Sequence, residues 1–363
     1  MLSGNRETSD AIRDQIQALA AASVARQYKT QRMEWAAFGV KNHEKSLRDT
    51  AYHLSYLAHA IVLDAPILFS EYINWCKVLF TSLGFSEQMT TETFRCLRET
   101  LLMDLSEPHN NHACHFFDEA LQNANETVPV IPPTFLNESR PQYELAQGYL
   151  NALLQEDRAQ AEKIILNAAK AGPAIQDLYI NVIQPCQREI GRLWHTNKIS
   201  VAQEHYATAV TQVVMAQLYP YLFSSAPTEK RGKAVVACVS GEIHELGARM
   251  LADFLEMDGW DSHYLGATTP AREIVQTVER HQAPLLCLSV TAALNLREAD
   301  ETITLLRGNP QTAKTIVLVG GYAFNHTPGL WRKIDADGYA EDAPSALKLA
   351  LTLFAEKEAG ERQ

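Results

Sequence analysis

Lys233-Ala234-Val235-Val236-Ala237-Cys238-Val239-Ser240, followed by Gly241-Glu242-Ile243-His244-Glu245-Leu246-Gly247, decides how this chain folds. The first half is a short valine-rich run that suits a buried strand. Beyond the second half, Leu246, Met250, Leu251, Phe254 and Leu255 recur at helical spacing. His244 is therefore expected in the first βα loop of an α/β unit, where open parallel sheets place their ligands. From there an imidazole can reach a bound metal. A solvated loop histidine is the plainer alternative.

Working outward, 261–265 is a strand ending in Gly266, and 284–288 one ending in Ser289-Val290-Thr291. A fourth, 315–319, ends in Gly320-Gly321, and a short fifth, 337–340, precedes a helix from Ala343 to about Phe354. Helical stretches over 247–258, 270–281, 294–307 and 323–333 separate them. This alternation predicts a doubly wound parallel sheet of five strands. Small residues at the strands' carboxyl ends let a large flat ligand approach the backbone.

The set Glu242-x-His244-x-x-Gly247, then Ser289-x-Thr291, then Gly320-Gly321 resembles the Rossmann-like cobalamin-binding domain over roughly 231–355. That family carries aspartate where Glu242 stands and leucine where Thr291 stands. The resemblance implies that His244 ligates cobalt from below while the cofactor's nucleotide tail enters the sheet. Gly266 also stands at a strand end. Ser289 and Thr291 would line the tail slot, with Gly320 and Gly321 at its far end. Neutral imidazole is a good ligand for such a metal, and Glu242 could fix its tautomer.

The 363 residues suffice for two or three domains. Their 32 basic and 43 acidic groups give a net charge of −11, which argues against broad nucleic-acid binding. No secretory leader and no membrane-length apolar stretch is read. The six cysteines are scattered without a C-x-x-C pair, which suits a reducing cytoplasm. Cys238 and Cys287 read as buried thiols.

Residues 1–125 read as all-helical, with helices near 11–28, 45–63, 66–83, 91–105 and 112–123 and a turn at Asn110-Asn111. The aromatics Trp35, Phe38, Tyr52, Tyr56, Phe69, Tyr72, Trp75 and Phe80 suit a packed core. A second reading takes Arg48, Asp49, Tyr52, His53 and Tyr56 as the lining of a flat tetrapyrrole pocket. Residues 126–140 and 224–231, rich in proline and polar residues, read as linkers. Between them, 141–222 reads as a four-helix bundle: 142–155, 158–171, 175–194 and 201–222.

That bundle carries Trp194-His195 and then Val201-Ala202-Gln203-Glu204-His205. The pattern resembles the helical cap of cobalamin-dependent photoreceptors that repress carotenoid genes in the dark. The resemblance implies adenosylcobalamin as cofactor. Trp194 would pack on the adenosyl group, Glu204 would accept from its ribose hydroxyls, and His205 would take the upper face of cobalt after light. His195 would lie at the cap–sheet interface. Those photoreceptors begin with a DNA-binding helix-turn-helix, and 1–125 holds no basic recognition helix. Instead Leu47-Arg48-Asp49, Tyr52-His53-Leu54, Tyr56-Leu57-Ala58, Leu68-Phe69, Tyr72 and Trp75 look like the globin-like domain of photocobilins. Those are cobalamin photoreceptors that also hold a bilin such as biliverdin. Arg48 would then hold a propionate and His53 a pyrrole; a satisfied core histidine is the plainer alternative for His53. The expectation is a light sensor and not an enzyme. Its output would be a light-dependent change in homo-oligomer association or in contact with a signalling partner. A corrinoid component of a methyltransferase system is the alternative.

Overall fold

The computed structural model describes residues 2–32, 42–127, 130–172, 174–222, 231–325, 327 and 329–361. The chain forms two compact units, Met1–Ile131 and Pro132–Gln363.

In the first unit the described residues form α1 (Leu2–Asp14), α2 (Ile16–Thr30), α3 (Asn42–Val62), α4 (Pro66–Ser82), α5 (Glu87–Asp104) and α6 (His109–Glu126). The single helix expected over 11–28 is two. The chain breaks at Gln15, with φ −109° and ψ 10°, and both pieces pack on α3. Pro66 opens α4, where its missing N–H costs nothing. Ser86 caps α5 by accepting the Met89 N–H at 3.2 Å. The turn expected at Asn110-Asn111 is helix instead. Asn110 is buried, and its amide donates to the Leu102 carbonyl at 3.2 Å. That tertiary bond overrides the weak helix propensity of asparagine. Trp35 and Phe38 lie outside the described residues.

The second unit opens with a strap that the sequence marks as linker. Leu136 is buried there, and the Phe135 N–H donates to Glu189 at 3.0 Å. Then come α7 (Tyr143–Leu154), α8 (Arg158–Ala171), α9 (Ile175–Leu178), a π-helical turn (Tyr179–Ile183), α10 (Gln184–His195) and α11 (Val201–Leu222). The expected helix over 175–194 thus runs through with one widened turn. Pro185 accounts for it: proline lacks an N–H and crowds the preceding turn, and a π turn relieves both. Of the second expected linker, 224–231, only Arg231 is among the described residues.

Strands β1 (Gly232–Cys238), β2 (Trp260–Tyr264), β3 (Leu285–Ser289), β4 (Ile316–Gly320) and β5 (Gly338–Ala340) alternate with helices. These are α12 (Leu246–Met257), α13 (Ala271–His281), α14 (Leu296–Gly308), the short α15 (Tyr322–Asn325) and α16 (Leu330–Lys333), and α17 (Ala343–Glu361). The sheet is parallel throughout in the order β2-β1-β3-β4-β5, the doubly wound architecture expected. Its register sets Cys238 beside Ser289 and Ser289 beside Gly320, so the small residues share one level at the carboxyl ends. β2 starts one residue early and leaves Leu265 outside, because Trp260 is buried edge-on against Phe354, ring centres 4.9 Å apart. The helix expected over 323–333 is two short ones, since Gly329 turns the chain at φ +78°. The bundle packs on the sheet's helices: Tyr179, Val214, Met215 and Leu218 share one apolar core with Met250 and Phe254 of α12.

Candidate functional site: a crevice where the strand order reverses

From β1 the chain winds outward to β2, whereas β3 leads the other way to β4 and β5. The loops after β1 and β3 therefore diverge and leave a crevice at the carboxyl ends. Gly241 makes the turn into it at φ +76°. A Cβ there would come within 3.0 Å of Asn295 Oδ1, and its N–H donates to Thr268 Oγ1 at 2.8 Å.

Glu242 organises both loops. It is fully buried. One oxygen accepts the His244 N–H at 3.0 Å and His244 Nδ1 at 2.5 Å. The other accepts the N–H groups of Thr291 and Ala292, each at 2.8 Å, and the Asn295 amide at 3.2 Å. Burial pushes this carboxyl's pKa up, but the bonds from His244 and Ala292 win and hold it at about 2. Glutamate therefore does reach the ring where the related pattern has aspartate. The same bond raises the His244 pKa against the pull of desolvation, and Glu204 in the cap adds to the rise. With Nδ1 held, His244 is left Nε2 to offer, and its side chain is 56% exposed.

The other strand-end residues fall where the sequence places them. Ser289 ends β3, and Thr291 acts through its backbone N–H. At Gly320 a Cβ would sit 2.9 Å from the Ala340 carbonyl, and Gly321, at φ +101°, lies hard against the Val290 backbone. Gly266 turns at φ +80°. At Gly247 a Cβ would meet no protein atom within 4 Å, so packing does not demand this glycine.

Above the sheet, α10 ends with half-buried Trp194 and buried His195. α11 brings Glu204, whose oxygens take His205 Nδ1 at 2.5 Å and Thr208 Oγ1 at 3.2 Å. The His205 side chain is 67% exposed. Each exposed imidazole thus has Nδ1 held by a glutamate and Nε2 available. The donor set, one imidazole fixed by a buried carboxylate with glycine backbone around it, fits a corrinoid, whose cobalt His244 would hold.

In the first unit, Arg48, Asp49, Tyr52, His53 and Tyr56 all lie on α3. Arg48 and Tyr52 are exposed, and Tyr56 stacks on Tyr72, ring centres 3.7 Å apart. His53 is instead turned into the core, with Nδ1 2.8 Å from the Tyr72 hydroxyl and Phe80 and Phe94 around it. Burial lowers its pKa to about 4.

Sequence reasoning missed a second set of polar contacts between cap and sheet. Glu245 takes the Gln212 amide of α11 at 2.5 Å and the Tyr264 hydroxyl of β2 at 2.8 Å. Tyr179, in the π turn, donates to buried Asp253 at 2.7 Å. No local signal marks these partners, since Gln212 and Tyr264 stand 33 and 19 positions from Glu245.

The fold and crevice define a two-part cobalamin-binding module with a separate helical unit before it. Residues 232–348 match the family model of the B12 binding domain, 145–219 match a second B12 binding domain model, and 7–123 match the model for phycobilisome proteins. Dimethylamine corrinoid protein 1 of Methanosarcina mazei is 26% identical over 217 residues, 59% of this chain and 98% of that protein. The HTH-type transcriptional repressor CarH of Myxococcus xanthus is 28% identical over 171 residues, 47% of this chain and 56% of its own length. The solved monomethylamine corrinoid protein of Methanosarcina barkeri shares the fold, with TM-score 0.53 at 20% identity over 59% of this chain and all of its own. No helix among the described residues is long and apolar enough to cross a membrane.

Proposed function

We propose that this protein is a light sensor that holds adenosylcobalamin between cap and sheet and a bilin in its N-terminal unit. The observation that carries the reading is the pairing of two glutamate-held imidazoles, His244 on the sheet and His205 on the cap, with Trp194 on the neighbouring cap helix. The cofactor supplies a photolabile cobalt–carbon bond. His244 would hold the cobalt, and Ser289, Thr291, Gly320 and Gly321 would line the slot for the cofactor's tail. Trp194 and Glu204 recognise the adenosyl group. His205 would offer Nε2 as a further ligand for the cobalt, and α11, which carries it, would shift with that bond. The match of 7–123 to phycobilisome proteins supports the bilin. The output is a change in self-association or in a partner's binding, and the proposal places the protein in the cytoplasm.

A second reading, a corrinoid protein that carries methyl groups, is favoured by the near-complete coverage of the Methanosarcina relative. Loading with adenosyl- and methylcobalamin, then comparing spectra and molecular size in darkness and after illumination, separates the two. The sensor retains the adenosyl form and changes size or partner affinity in light. A methyl carrier keeps methylcobalamin and shows no light-dependent change in either.

A further inference from the structure

Glu245 follows His244 directly, yet its side chain serves a different purpose. One oxygen accepts the Gln212 amide of α11 at 2.5 Å, and the other accepts the Tyr264 hydroxyl of β2 at 2.8 Å. A single carboxylate thereby joins the cap, the edge of the sheet and the loop that carries the cobalt ligand. One turn further along α12, Arg249 reaches the same stretch of cap. Its guanidinium lies 3.4 Å from the Gln212 carbonyl and 3.3 Å from the Tyr219 hydroxyl, with the charge over the Tyr219 ring. The carboxylate contacts are charge-assisted and therefore strong.

Along α11 the sequence sets the geometry. Glu204, Thr208 and Gln212 recur every fourth residue and so share one helix face. Gln212 stands about 12 Å from Glu204 along the axis, at 1.5 Å per residue. Glu204 and exposed His205 belong to the end of the cap over the crevice. Gln212 belongs to the end fastened to the sheet.

We infer that Glu245 is a positioning residue that pins one edge of the cap beside the cobalamin slot. The cap then opens by turning about Gln212 and does not lift away whole. The inference rests on the cobalamin reading above. It does not require Glu245 to touch the cofactor. Loss of the pin loosens α11, in the cofactor-free protein as well as the loaded one. His244 stays correctly oriented, because Glu242 holds it independently.

The test uses the full chain with Glu245→Ala, Glu245→Gln, Gln212→Leu and the double change Gln212→Leu/Glu245→Ala. Hydrogen exchange of 201–222 is followed without cofactor, and dark release of adenosylcobalamin with it. Glu245→Ala should speed amide exchange in α11 and release the cofactor about tenfold faster, as loss of one hydrogen bond to a charged group implies. The visible spectrum should remain that of histidine-ligated cobalt. Gln212→Leu should behave alike, and the double variant should be no worse than either single one. Glu245→Gln, whose carbonyl can still accept from Gln212 while its amide donates to the Tyr264 hydroxyl oxygen, should return release to within about twofold of the parent. Parental exchange and release in Glu245→Ala would overturn the inference, as would multiplying effects in the double variant. If Glu245→Ala misfolds by circular dichroism, Gln212→Leu against Glu245→Gln decides. A parent that takes up no cobalamin sinks the cobalamin reading, and the exchange comparison alone then decides the pin.

Discussion

At the scale of single residues, two histidines with opposite surroundings lead to different expectations. His244 is half-exposed and hydrogen-bonded to Glu242, so its value lies in what it can bind. Changing even an outer partner of a metal ligand typically costs about 10–100-fold in affinity, so His244→Ala should weaken cobalamin retention at least tenfold. Its bound spectrum should shift to the form without histidine below cobalt. An unaltered spectrum and affinity would remove His244 from the role. His53 is buried and uncharged, so its value lies in packing. In the unfolded chain it takes a proton near pH 6.5, and in the folded chain only near 4. Stability is therefore intact above the unfolded value, falls as the pH drops from 6.5 towards 4, and levels below that. The full loss is about 3 kcal/mol. Melting of the full chain from pH 7 to 4 should show less acid loss in His53→Gln than in the parent; parallel curves would contradict this. The motif foretold the place of His244, in the loop after β1. For His53 the sequence left a core histidine and a pyrrole contact equally open, because one α3 stripe passes from exposed Tyr52 to buried His53 in a single residue.

At the scale of elements, the proposal assigns the discrimination to the cap helices. If Trp194 and Glu204 select the adenosyl group, Trp194→Ala and Glu204→Gln should each narrow the preference for adenosyl- over methylcobalamin by about tenfold. Titrations that find the parental preference would show that selection lies elsewhere. His205→Ala should still lose its adenosyl group in light, since bond cleavage belongs to the cofactor. Its lit form should bear water above cobalt, whereas the parent's bears two histidines. A parental lit spectrum from His205→Ala would move the role to His195, which His195→Ala then checks. Helix and strand periodicity gave these elements to within a few residues. It failed where a tertiary contact outranked local preference. Asn110 stayed helical through its bond to Leu102, and the chain broke at Gln15, where α1 and α2 each pack on α3. Gln212 and Tyr264 were invisible for the same reason. Nothing local tells that residues 33 and 19 positions from Glu245 meet on its carboxylate.

At the scale of the whole molecule, two compact units are joined in one chain, and the proposal gives each a chromophore. Co-expression with a biliverdin source should give long-wavelength absorbance that survives alongside cobalamin binding. All six cysteines are buried, and burial raises the Cys76 thiol to about 12, so the bilin should extract freely with no adduct by mass spectrometry. A colourless protein that binds cobalamin would refute the bilin, and an adduct on Cys76 or Cys96 only its noncovalent hold. The Glu242 carboxylate bears on how the cobalamin enters. Its bonds to Thr291, Ala292, Asn295 and His244 tie two loops together through protein atoms alone. The floor of the crevice is already set, so uptake orders no loop there. Calorimetry of cobalamin uptake should then give the modest negative heat-capacity change of two surfaces meeting, without the larger change that accompanies folding.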